Sequence, residues 1–83
     1  MTQYFSVDAD PVDVGASLQI CYSNPDKANS TIEVRMHNGE GQEETHQLAL
    51  DANGHGCFNW TVPNWDGISI EGGDSEPLTV VTN

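Results

Sequence analysis

The chain has 83 residues, room for one domain with a small core. Thirteen Asp and Glu stand against two cations, Lys27 and Arg35, and the formal charge is −11. Two cations release too few counterions to hold a phosphate backbone, which excludes nucleic acid as a partner, and the same repulsion excludes an anionic membrane surface. A cationic protein, a metal ion or a neutral glycan stays open. No stretch approaches the ~20 apolar residues of a membrane helix. The opening MTQYF has neither the basic nor the apolar region of a secretory leader, so no signal peptide is expected in this chain.

Apolar and polar residues alternate in short blocks separated by turn residues. In YFSVD (4–8), Phe5 and Val7 share a face. DPVDVG (10–15) reads as a bend with Val12 and Val14 inward. SLQICYS (17–23) sets Leu18, Ile20 and Tyr22 against Ser17, Gln19 and Cys21. After the loop NPDKANS, TIEVRMH (31–37) points Ile32, Val34 and Met36 inward. NGEGQEE connects it to THQLAL (45–50), with Leu48 and Leu50 inward. DANGHG (51–56) is a turn, and CFNWTV (57–62) then turns Phe58, Trp60 and Val62 inward. PNWDG forms a corner, and ISIE (68–71) and PLTVVT (77–82) finish the chain.

Period-two runs at this spacing, with no helical stripe, predict an all-β fold. The expected architecture is a seven-stranded antiparallel immunoglobulin-like sandwich over residues 1–83, in the fibronectin type III-like arrangement. That arrangement pairs the first, second and fifth segments in one sheet and the other four in the second.

The run DPVDVGASLQICY, the run LDANGHGCFNWTVP and the terminal PLTVV together resemble bacterial immunoglobulin-like and fibronectin type III-like surface modules. The resemblance covers nearly the whole chain. It implies a sandwich used as a spacer, adhesin or binding appendage of a bacterial surface or secreted protein. It carries over no catalytic residue. The third segment, TIEVRMH, lacks the buried tryptophan of antibody domains.

Cys21 alternates out of phase with Leu18, Ile20 and Tyr22, and Cys57 out of phase with Phe58, Trp60 and Val62. Both thiols therefore face away from the core, unlike the inter-sheet bridge of antibody domains. Neighbouring strands of one sheet bring directly opposed Cβ atoms within disulfide reach. In the fibronectin-like layout, the second and fifth segments are such neighbours. A cross-strand disulfide, Cys21–Cys57, is therefore expected on the outer face of the smaller sheet. A β-bulge in either strand would reverse the parity and restore an inter-sheet bridge. The competing readings are free thiols in a reducing compartment, and a redox or soft-metal pair. No CxxC motif or basic cluster supports the latter.

His37, His46 and His55 are spaced nine apart. Matching apolar faces puts Val34 opposite Leu48, Ile32 opposite Leu50, Met36 opposite His46 and His37 opposite Thr45. His37 then points outward, His46 points inward near a sheet end, and His55 lies beyond the other end. Three histidines so placed cannot share a zinc. No metal site is expected, with Asp8, Asp10 and Asp13 of DADPVD as weak Ca2+ candidates. Asp before Pro and Asn-Gly are also ordinary turn signals.

No nucleophile elbow, phosphate-binding loop or dinucleotide fingerprint occurs. Enzymatic function and cofactors are not expected. Trp60 is in phase with the core. Trp65 either plugs the corner or stands exposed as a ligand contact. The expected function is that of a non-catalytic structural or interaction module, with a glycan- or Ca2+-binding module as the alternative. The expected partner is a protein, biased by charge toward a cationic one. The chain is expected to be a monomer without membrane insertion, and PLTVV is a candidate edge for strand pairing. A secreted or cell-surface location is expected, with an intracellular one left open.

Overall fold

The computed structural model describes residues 2–83. Seven strands occur among them: β1 (Phe5–Val7), β2 (Ser17–Ser23), β3 (Thr31–His37), β4 (Glu43–Ala49), β5 (His55–Thr61), β6 (Ile68–Gly72) and β7 (Leu78–Val80). The one helical piece among the described residues is a 3-10 turn, Pro25–Lys27, capped by the Asn24 side chain. No helix among them is long and apolar enough to cross a membrane.

The strands form two antiparallel sheets, ordered β1-β2-β5 and β4-β3-β6-β7. This is the grouping of segments expected from the fibronectin-like arrangement. The inward rows supply the core: Leu18, Ile20 and Tyr22 of β2 and Val34 and Met36 of β3 are almost fully buried, with Ile68, Ile70 and Val80. Each such side chain contributes about 1.5–3 kcal/mol by leaving water.

Val14 departs from expectation. It is 38% exposed. Val12 bridges Thr82 in parallel, accepting from the Asn83 N–H and donating to the Val81 carbonyl. The chain then turns at once, with the Ala16 N–H on the Asp13 carbonyl. Alternation therefore ends at Val12, and Val14 has no strand to orient it.

The β3–β4 register also differs from expectation, by two residues. Ile32 opposes Leu48, Val34 opposes His46, Met36 opposes Glu44 and His37 opposes Glu43. A two-residue slip preserves which face each side chain takes, so apolar matching alone does not decide it. The connection decides it. Asn38 donates its backbone N–H to the Gln42 carbonyl, and its side-chain oxygen accepts from the N–H groups of Glu40 and Gln42. These bonds close the loop with 38 across from 42, and the ladder continues from there.

Candidate functional site

Among the described residues, one group of side chains offers three metal-type donor atoms close together: Cys21, His55 and Cys57. It sits on the outer face of the three-stranded sheet. Cys21 opposes Cys57 in the β2–β5 ladder, with Cα atoms 4.1 Å apart, and the two form a disulfide. No bulge intervenes between Ser17↔Thr61 and Ser23↔His55, so the parity argument holds along the whole pair.

His55 was expected beyond the strand, in the turn. β5 instead begins at His55. Being two residues from Cys57, it shares the outward face. Its Nε2 lies 3.7 Å from Cys57 Sγ. The turn before it fixes its backbone: Asp51 Oδ1 accepts from the N–H groups of Asn53 and His55, and Asp51 donates its own N–H to the His55 carbonyl. The His55 and Asn53 amides hold the Asp51 carboxyl below its ordinary value of 3.8. Gly54 completes the turn at φ +75°, where an added Cβ would run into the Asn24 carbonyl. The signal for this grouping is present in HGC: two residues' spacing on a strand places both side chains on one face.

The other histidines go elsewhere. His37 Nε2 lies 3.5 Å from Glu71 Oε2 on the outer face of the four-stranded sheet. His46 takes the inward row, as expected, but in mid-strand rather than at a sheet end. It stacks on Phe58 of the facing sheet, centroids 4.0 Å apart and planes 9° apart. It stays exposed, because β4 and β5 are both edge strands and flank one open side of the sandwich. On the same side, Trp60 Nε1 donates to Glu44 Oε1 at 3.3 Å.

The three acidic candidates are spent on separate backbone and side-chain partners. Asp8 Oδ1 accepts from the Gln19 N–H, Asp10 Oδ1 from the Val81 N–H, and Asp13 Oδ1 from Asn83 Nδ2. They tie the β1–β2 crossing to β2 and to the chain end. Trp65 is 7% exposed and packs on Trp60 with ring centroids 5.5 Å apart. Its carbonyl accepts from Thr82 Oγ1, and it fills the corner between β5 and β6.

Charge is unevenly placed. The outer face of the three-stranded sheet carries Ser6, Ser17, Gln19, Ser23, Asn59 and Thr61 around the disulfide, with no Asp, Glu, Lys or Arg among its outward strand positions. The four-stranded sheet carries the ions. There Arg35 pairs with Glu71, and its Nε lies 3.4 Å from Glu43.

No protein-family model, curated protein or solved structure matches this chain.

Proposed function

We propose that this chain is a non-catalytic immunoglobulin-like structural and interaction module that works outside the reducing cytoplasm, as part of a secreted or bacterial surface protein. The observation that carries the reading is the Cys21–Cys57 disulfide laid across β2 and β5 in the β1-β2-β5 sheet. The two strand orders support the fibronectin type III-like assignment, since that fold groups its first, second and fifth strands in the same way. A disulfide fits an oxidising compartment, and a small domain gains most from such a staple. The −11 charge keeps the module soluble and steers cationic protein partners toward it.

The test is intact mass after alkylation of protein isolated without reductant. The proposal expects no added alkyl groups before reduction and two afterwards. Two thiols that alkylate at once would remove the extracytoplasmic reading.

A further inference from the structure

We infer that reduction converts the Cys21–Cys57 staple into a two-thiolate, one-imidazole site for a divalent d10 cation such as Zn2+, with His55 as the third ligand. This goes beyond the proposed module function and does not depend on it.

The geometry supplies the argument. A tetrahedral zinc with Zn–S ~2.3 Å and Zn–N ~2.0–2.1 Å separates a sulfur ligand from a nitrogen ligand by ~3.6 Å. Cys57 Sγ and His55 Nε2 are 3.7 Å apart already. All three donor atoms lie within 4.8 Å of one another. Two sulfurs on one zinc stand ~3.8 Å apart by the same geometry. Once the S–S bond is broken, rotation of either cysteine about its Cα–Cβ bond provides that separation, and the β2–β5 register need not change. His55 is exposed, so an ion reaches the group from solvent and water takes the fourth position. No Lys or Arg shares that face to oppose a cation, and the net charge of the chain favours its approach. The Asp51 turn holds the His55 backbone in place, so the strand position that carries this ligand is fixed before the metal arrives.

The chemistry balances in two steps. A dithiol reductant gives two electrons and two protons: the Cys21–Cys57 bond breaks, two thiols form, and the reductant closes to its own disulfide. Zn2+ then displaces both thiol protons to water. Two thiolates and a neutral imidazole, protonated on Nδ1, hold the ion, and the charges of the site sum to zero. Disulfide and metal are alternative occupants of one place, so the local redox poise selects between them.

The experiment is a Zn2+ titration of the whole chain, reduced with a phosphine because a dithiol competes for the metal. The phosphine leaves as its oxide, with oxygen from water. Calorimetry reads the binding, and near-ultraviolet circular dichroism, sensitive to the buried Trp60–Trp65 pair, reads the fold. The expected result is one Zn2+ per reduced chain with the near-ultraviolet signal kept, and none at that affinity on the oxidised chain. His55→Ala, which leaves the disulfide in place, is expected to weaken binding to the reduced chain by more than about tenfold, the least that perturbing a metal's ligand surroundings usually costs. No binding would overturn the inference. So would equal affinity in wild type and H55A, equal binding by the oxidised chain, or binding only with the near-ultraviolet signal lost.

Discussion

Cys21 stands directly across from Cys57 with their Cα atoms 4.1 Å apart, on the face of the sheet turned away from the core. The staple therefore adds nothing to the apolar interior. It ties β2 to β5 across a separation of 36 residues. Loop-closure entropy for such a link is worth about 3–4 kcal/mol. The double variant Cys21→Ser, Cys57→Ser is expected to lose about that much in guanidinium unfolding while keeping the strand content of the wild type. A loss under about 1 kcal/mol would show that the unfolded chain gains little freedom without the bond.

Asn38 decides the β3–β4 register. It is 8% exposed, and its side chain bonds Glu40, Gln42 and the Gln42 carboxamide at once. Asn38→Ala leaves two loop amides without that acceptor and is expected to cost about 1–3 kcal/mol. Amide exchange in β3 and β4 checks the mechanism: protection should fall most at Asn38 and in the Met36–Glu44 pair, the cross-strand bonded amides nearest the loop. Unchanged protection there would mean that the strands hold the register without the turn.

Trp65 is a core residue, so its truncation should behave as a cavity. Trp65→Ala is expected to destabilise by about 3–5 kcal/mol, in the range of large aromatic deletions. Trp65→Phe should cost markedly less. Chemical denaturation of both variants separates this from an exposed contact residue, for which either change would stay within about 0.5 kcal/mol.

Asp51 links pH to the turn that holds His55. Its folded carboxyl titrates below the ordinary 3.8, chiefly because the backbone N–H of His55, then that of Asn53, bonds the charged form. A group with a depressed folded value contributes stability above its unfolded value and loses it as pH falls through the folded one. Asp51→Asn should therefore be less stable than wild type near neutrality, and the gap should close as pH drops below that range. A carboxyl NMR titration with its midpoint at or above the ordinary value would remove the effect.

Much of this structure is legible in the alternation itself. Side chains on a strand take opposite faces in turn, so Leu18, Ile20 and Tyr22 inward require Cys21 outward as long as no bulge interrupts the strand, and none does. Phe58, Trp60 and Val62 require the same of Cys57. Two outward cysteines on neighbouring strands then meet, as they do here. The face of His46 follows from the same rule; its stack on Phe58 does not, because that depends on how two edge strands from different sheets approach.

The sequence by itself determined the period-two faces and the side of the sheet that the cysteines take, because these are local consequences of backbone geometry. Tertiary structure decided the rest. The two-residue register of β3 on β4 is degenerate in face and was settled by hydrogen bonds around Asn38. The start of β5 at His55 was settled by the Asp51 turn and by the room Gly54 leaves for the Asn24 carbonyl. The burial of Trp65 was settled by Trp60 and Thr82, five and seventeen residues away in the chain. The carboxylates of Asp8, Asp10 and Asp13 went to three separate partners rather than to one another. Each of these depends on hydrogen bonds and packing that apolar–polar alternation does not encode.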